Sequence, residues 1–379
     1  MGTDATKPPI RVVHVVPSLQ VGGAQRGVLE LVQLLEKDTR FRVQLCVLSS
    51  RNEFYSTTGL ATAPRFLRFS GRLSDWGETA RCIRQLRAIL RETNAAILHT
   101  HLWMADVLGG VAAKGLPLKH VCHLRDMRPW MASPHLRDHC RRFIYKALLA
   151  GSQTTCIAVS EAVRTYTCES LGWATEKIRV ILNGIDTEEF FPAARPERPE
   201  VVVGGAGRFI HEKGFEFLIQ AVGRLYRQGV PVRLRIAGEG SSRPAYEQLA
   251  SELNFADRLE LVERVTDMPS FYRNLDVFVM PSLEAEGLPR GILEAMASGV
   301  ATVATATAGA PEVIRDGVNG LLVPAADASS LALAIERLAR DPDLRKRLGH
   351  EGRNRIVKDF TLDRVYNQVV DQYMKVLHD

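Results

Sequence analysis

Apolar, β-branched runs of four to eight residues alternate with longer amphipathic stretches along the whole chain. Such runs are too short to be core helices, and their Val and Ile content suits strands covered on both faces. In the first half they fall at 10–16, 41–48, 95–100, 118–123, 154–159 and 177–182. Between them lie helical patterns such as 74–93, where Ile83, Leu86 and Leu90 share one face. This order predicts parallel strands joined by helical crossovers. The stretch 191–200, with Pro192, Pro196 and Pro199, interrupts the pattern. It then restarts at 200–206, 232–237, 258–262, 276–280, 300–304 and 320–323, and 331–379 reads as almost wholly helical. The expectation is two α/β domains, 1–190 and 201–360, around a linker at 191–200. The last stretch, 361–379, is a helix that packs back on the first domain. Ligands of open parallel sheets bind beyond the carboxyl ends of the strands, so two facing sheets would place a cleft between the halves.

At 379 residues the chain has room for a core in each half. Charged residues at 24%, 29 Gly and 18 Pro are globular values, which argue against disorder, collagen and coiled coil. No apolar run approaches the roughly 18–20 residues that span a bilayer, and the polar start lacks the apolar core of a signal peptide. The six cysteines show no CxxC spacing, so buried, reduced thiols and a cytoplasmic location are expected. The net charge of +6 is concentrated in residues 1–190, where 25 Lys and Arg stand against 17 Asp and Glu. That imbalance points to an anionic partner or to a plainly solvated basic surface.

Several motifs exclude chemistry. Gly205-Ala206-Gly207-Arg208-Phe209-Ile210 opens like a dinucleotide fingerprint but has Ile210 where the last glycine belongs, and no GxxxxGK[ST] occurs. Asp341-Pro342-Asp343 lies between helical stretches and reads as a helix cap rather than a metal site. His99, His101, His120 and His123 lack the Cys or carboxylate spacing of a zinc site, so no metal is expected. His101, at a strand's end, is the candidate for a ligand contact, with the others satisfied by neighbouring backbone.

Other motifs invite it. Gly22-Gly23 opens a helix after the first strand, where the missing Cβ lets backbone N–H groups approach a phosphate; a tight strand-to-helix turn needs the same glycines. Arg208 and Lys213 share one strand-to-helix loop and could converge on a diphosphate. Downstream, Glu286 stands in a loop and Glu294 eight residues later in a helix between buried strands. Loop amides at that helix start suit phosphate oxygens, while carboxylates accept from sugar hydroxyls. A carboxylate placed like Glu294 is partly desolvated and needs partners.

In this order, the Gly22-Gly23-Ala24 turn, Arg208-x4-Lys213-Gly214, and Glu286-x7-Glu294-Ala295-Met296-Ala297-x-Gly299 resemble the family 4 glycosyltransferases of the GT-B fold. Val180-Ile181-Leu182-Asn183-Gly184-Ile185-Asp186 and Pro311-Glu312 extend the likeness over essentially the whole chain. The resemblance implies two Rossmann-like domains facing across a cleft, and a retaining, metal-independent transfer from a nucleotide diphosphate sugar with no cofactor for the chemistry. A UDP-sugar is the donor it favours. By position, Arg208 and Lys213 would neutralise the diphosphate, Glu294 would hold the ribose, and Glu286 would bind the transferred sugar. Backbone N–H groups of Leu288 and Arg290, around Pro289, would reach sugar and phosphate. Arg264 and Val265 would meet the base, Gly22 and Gly23 the diphosphate, and His101 the sugar. Three departures stand against the pattern: Ala308 in place of a first glycine, Glu263 before Arg264, and Glu284 competing with Glu286.

The acceptor it implies is a lipid-linked or surface glycan. Alternatives are an inactive or regulatory sugar-nucleotide binder, a nucleotide-sugar epimerase and a sugar phosphorylase. Nucleic acid is not expected, because the basic half lacks interleaved aromatics. Arg81, Arg84, Arg87 and Arg91 line one face of a helix, near Arg65, Arg68 and Arg72, with a second basic stretch at Arg137, Arg141, Arg142 and Lys146. Peripheral contact with an anionic membrane at the inner face of the cell membrane would use these cations. The expectation is a purely electrostatic contact, with no amphipathic stretch exposing enough apolar surface to insert.

Overall fold

A computed structural model describes residues 8–20, 22–49, 59–151, 153–194, 198–263, 265–284 and 286–379. The chain divides into two compact units, Met1–Asn183 with Asp363–Asp379, and Gly184–Leu362. Of the first unit's strands, β1 is Ile10–Val16, β2 Phe41–Val47, β3 Arg65–Phe66, β4 Ile97–His101, β5 Lys119–Leu124, β6 Thr154–Ala158 and β7 Ile178–Val180. They are interleaved with helices α1 (Gly23–Lys37), α2 (Trp76–Glu92), α3 (Trp103–Ala113), α4 (Pro129–Ala132), α5 (Leu136–Leu149) and α6 (Glu161–Leu171). The second unit runs β8 (Val201–Ala206), α7 (Phe215–Arg227), β9 (Val232–Ala237), α8 (Arg243–Glu252), β10 (Leu259–Val262), α9 (Met268–Arg273) and β11 (Val277–Met280). It continues through α10 (Arg290–Ala297), β12 (Ala301–Thr305), α11 (Ala310–Val313), β13 (Leu321–Val323), α12 (Ala328–Arg340) and α13 (Pro342–Asp359), and α14 (Leu362–His378) ends the chain.

Both sheets are parallel, ordered β3-β2-β1-β4-β5-β6-β7 and β10-β9-β8-β11-β12-β13. In each, the chain winds outward from its first strand and then jumps to that strand's other side. The reversal lies between β1 and β4 in one unit and between β8 and β11 in the other. Loops leaving the carboxyl ends of two such strands diverge and leave a crevice where ligands bind.

The expected strands form close to their expected limits. The two-residue β3 was not anticipated, because a segment this short has no period to read. Alternation along β1 explains the first core: Val12 and Val16 face α1 and α14, while Val13 and Val15 pack in the cluster holding Cys82 and Leu86 of α2. From α14, Val369, Val370, Tyr373 and Val376 join the first of these clusters. In the second unit, Phe215, Leu218, Ile219, Val222 and Leu225 put the apolar face of α7 in the core. Asp341 caps α13 by accepting from the Leu344 N–H at 2.8 Å.

Five cysteines are buried and free, but Cys140 is exposed on α5. The arginine face of α2 is also less available than its spacing implies. Arg87 donates to the Ala112 and Lys114 carbonyls at 2.8 and 2.7 Å, and Arg81 pairs with Glu78 at 3.4 Å. Upstream, Arg65 makes a two-pronged ion pair with Glu92. Arg84 and Arg91 remain exposed. Among the described residues, no helix is long and apolar enough to cross a membrane.

Candidate functional site

In the second unit, three loops meet at the carboxyl ends of the adjacent strands β8, β11 and β12. The first, after β8, carries Arg208, which is exposed and has no side-chain partner among the described residues. A 3-10 turn at His211–Lys213 follows, and Gly214 starts α7 in the left-handed region at φ 65°. A Cβ on Gly214 would sit 2.2 Å from the Pro281 carbonyl oxygen, so only glycine lets this loop lie against the one after β11. The Leu283 N–H donates to the Glu212 carbonyl at 2.9 Å and joins the two loops. Gly309, after β12, closes on the second loop in the same way: its N–H reaches the Glu286 carbonyl at 3.3 Å, and an added Cβ would lie 2.0 Å from the Gly287 oxygen.

This packing brings Lys213 and Glu286 together, with Nζ 2.6 Å from Oε1. Ser282 Oγ donates to the same Glu286 oxygen. Glu284, the competing carboxylate, is exposed. Beyond Pro289 the amides of Arg290, Gly291 and Ile292 open α10, which has no side-chain cap and no acidic residue in its first turn. Such an end favours an anion. Leu288 and Pro289 are buried beneath it.

Glu294 is 7% exposed. Its Oε1 accepts from Arg290 Nε at 2.7 Å and its Oε2 from Tyr272 Oη at 2.9 Å. The need for partners is thus met, and each oxygen keeps a lone pair for a further donor. Val265 is half-buried just past β10; Arg264 lies outside the described residues, and Glu263 pairs with Arg243 at 2.9 Å.

In the first unit, Gly22 and Gly23 follow β1 and His101 ends β4, the two strands flanking the reversal. Gly22 has extended backbone, and α1 begins at Gly23 without a side-chain cap. His101 is 0% exposed, at the head of a buried hydrogen-bond chain. Arg125 Nε donates to His101 Nδ1 at 3.3 Å, which makes His101 Nε2 the donor to His14 Nδ1 at 3.0 Å. His14 Nε2 then donates to Tyr373 Oη at 3.1 Å, and Tyr373 donates to His99 Nδ1 at 2.5 Å. Arg125, which cannot accept, fixes every tautomer in this chain. Burial, with Arg125 nearby, pushes His14 down to about 3 and holds His99, His101 and His123 well below the ordinary histidine value.

The partners of these histidines are side chains, not the neighbouring backbone expected of them. On the other sheet face, His120 Nε2 meets Thr100 Oγ1 at 3.0 Å, and Thr100 also donates to buried Asp106 at 2.6 Å. His14, His99 and His101 each bring a ring nitrogen within 4.8 Å of the others, a trio of metal-ligating type. In this structure His14 and His101 spend one of those nitrogens on each other. His14, Tyr272, Ser282 and Tyr373 were not picked out from sequence, because no local motif ties them to the residues they touch.

Comparison with known proteins decides the family. The glycosyl transferases group 1 model matches residues 186–355, and the glycosyltransferase family 4 model matches residues 21–189. Alpha-maltose-1-phosphate synthase of Mycobacterium tuberculosis is 30% identical over 79% of this chain and 85% of its own length. The chain belongs to glycosyltransferase family 4.

The lipopolysaccharide core biosynthesis glycosyltransferase LpsE of Rhizobium meliloti is 35% identical to this family 4 glycosyltransferase. That match covers 59% of this chain and 64% of LpsE, just under two thirds of its length. Among solved structures, Anabaena HepE in complex with UDP-glucose superposes with a TM-score of 0.80 at 19% identity, over 97% of this chain and 100% of HepE. Each unit of the present glycosyltransferase is thus a parallel-sheet domain of the GT-B fold.

Proposed function

We propose that this glycosyltransferase is a retaining, metal-independent enzyme that moves a sugar from a UDP-sugar to a hydroxyl of a lipid-linked or surface glycan. The observation that carries the reading is the Lys213–Glu286 pair, held by three interlocked loops beside the start of α10, which has no side-chain cap and no acidic residue in its first turn. Departure of the nucleoside diphosphate builds negative charge on the leaving phosphate oxygen. Arg208, Lys213 and the N–H groups of Leu288 and Arg290 are the donors for that charge, and preorganised donors of this kind are usually the largest catalytic contribution. Glu294 accepts from the ribose and Glu286 from hydroxyls of the transferred sugar. Val265 and Arg264 border the base, and Gly22 and Gly23 offer backbone to the diphosphate. The acceptor attacks from the face the diphosphate leaves, and the leaving phosphate takes its proton. His101 enters this reading as a positioning residue, because it bonds the Arg125 guanidinium from a buried site.

Two comparisons support the finer parts: the HepE structure holds UDP-glucose, and LpsE acts in lipopolysaccharide core biosynthesis. The surplus of cations in the first half supports contact with an anionic membrane that carries the acceptor. The test is release of nucleoside diphosphate from UDP-, GDP- and ADP-sugars with and without EDTA, followed by NMR of the product's anomeric proton. Release from a UDP-sugar that survives EDTA, with the donor's anomeric configuration kept, is expected. An inverted product or a strict Mg²⁺ requirement overturns the mechanism.

A further inference from the structure

The outward face of α5 carries Leu136, Cys140, Phe143, Ile144 and Ala147, a spacing that places all five along one side of the helix. They are not buried. Leu136 is 80% exposed, Phe143 74% and Ile144 57%, while Asp138, Tyr145 and Leu149 on the inner side are buried against α3, α4 and α6. Single exposed apolar side chains are ordinary, but a stripe of them at helical period is a contact surface.

We propose that α5 lays this stripe into the headgroup–acyl boundary of an anionic bilayer. The inference rests on the membrane-facing reading above and names the element that touches lipid. It also replaces the expectation of a purely electrostatic contact.

The charges beside the stripe select the occupant. Arg137 is exposed and Lys146 half-buried, and neither has an ion-pair partner among the described residues. Arg141 and Arg142 flank the inner side, where Arg141 pairs with Asp138 at 3.2 Å and Arg142 donates to the Met131 and Ser133 carbonyls. Asp138 is the helix's one carboxylate, and it is buried and held by Ser133 and Arg141. Nothing negative therefore faces outward from α5. An amphipathic helix with an apolar stripe and cationic flanks lies in the interface plane about 5–10 Å deep, with its cations at the anionic headgroups. A second copy of the chain fits less well. Four large or medium side chains on one short helix cover on the order of a few hundred Å², against about 800 Å² per partner in a stable dimer. It would also set like charges side by side.

Cys140 supplies the probe, because it lies in the stripe and the other five cysteines are buried. The full chain, labelled there with an environment-sensitive fluorophore, is mixed with phosphatidylcholine vesicles with or without phosphatidylglycerol, and sedimentation is followed in parallel. Blue-shifted, brighter emission and co-sedimentation with the anionic vesicles are expected, part of both surviving about 0.5 M NaCl, where long-range attraction is screened. The double variant Phe143→Ser, Ile144→Ser should lose about tenfold or more in partitioning. Its thermal midpoint and its vesicle-free release of nucleoside diphosphate should be unchanged. If anionic vesicles sediment the protein while the label stays in water, or the double variant binds as well as the parent, the assignment to α5 is wrong and the membrane reading survives through Arg84 and Arg91. If neither vesicle sediments the protein, both fall. A label response that grows with protein concentration without lipid, together with a dimer by light scattering, would make the stripe an interface between copies and overturn the proposal.

Discussion

Lys213 and Glu286 lie on loops after different strands, yet their charged atoms are 2.6 Å apart. The pair is accessible enough for each partner to be exchanged for a ligand group: the phosphate for Lys213, a sugar hydroxyl for Glu286. Lys213→Ala and Arg208→Ala should each lower kcat more than they raise KM for the donor, because charge on the leaving oxygen peaks in the transition state. Glu286→Gln should leave the affinity for free nucleotide nearly unchanged and lower turnover by about 10²-fold. Steady-state kinetics beside nucleotide titration checks both. Equal losses in nucleotide binding and turnover would move Glu286 away from the sugar.

Glu294 has a structural and a proposed ligand role that different variants separate. Glu294→Ala removes the buried carboxylate that accepts from Arg290 Nε and Tyr272 Oη, a change that costs about 3–5 kcal/mol, so its thermal midpoint should fall by several degrees. Glu294→Gln keeps the shape and is the variant for binding. Loss of a charge-assisted hydrogen bond to the ribose should cost about 1.5–3 kcal/mol of nucleotide affinity by calorimetry. A deoxyribose nucleotide that discriminates parent from Gln variant as strongly as the ribose form would refute the contact.

Gly214 and Gly309 hold the site loops by close backbone approach. Gly309→Ala or Gly214→Ala should cost about 2 kcal/mol or more in stability and weaken donor binding, because the Cβ meets a carbonyl oxygen. Gly317→Ala is the control: φ is also positive, at 70°, but the added Cβ meets nothing within 4 Å. It should cost about 1 kcal/mol and leave binding intact. Thermal shift with and without nucleotide distinguishes the three.

The buried histidines should make the first unit acid-labile. Burial holds His14 near 3 and His120 near 4, with His99, His101 and His123 also lowered. The unfolded chain protonates its histidines near 6.5, so unfolding takes up protons below that pH and stability falls as pH falls. Each histidine contributes a slope of up to about 1.4 kcal/mol per pH unit until its folded value is reached. Asp106 acts in the opposite sense. Burial raises it to about 7, so its contribution is present at low pH and lost as pH rises towards 7. Five histidines outweigh one aspartate. The urea midpoint should therefore drop steeply between pH 6.5 and 5, and Asp106→Asn should remove the opposing trend. A flat midpoint over that range would show that the histidines are protonated in the folded state.

Local sequence carried most of the architecture. Period-2 and period-3.6 burial patterns are written into neighbouring residues, so strand positions, helix faces and the two α/β halves were legible without knowing what packs on what. So were the loops bearing Arg208, Lys213 and Glu286 and the helix bearing Glu294, because spacing from a strand end is a local property. Pairings were a different matter. Tyr272 on Glu294, Ser282 on Glu286, and Tyr373 across His14 and His99 join elements whose proximity depends on strand order and helix docking. Burial and availability behaved the same way. Arg87 reads as part of a free cationic face until the carbonyls that end α3 reach it, and α5 reads only as the basic stretch of Arg137 to Lys146 until the neighbouring helices leave its apolar stripe uncovered. Periodicity says which residues share a face; only the completed packing decides whether that face meets protein or solvent.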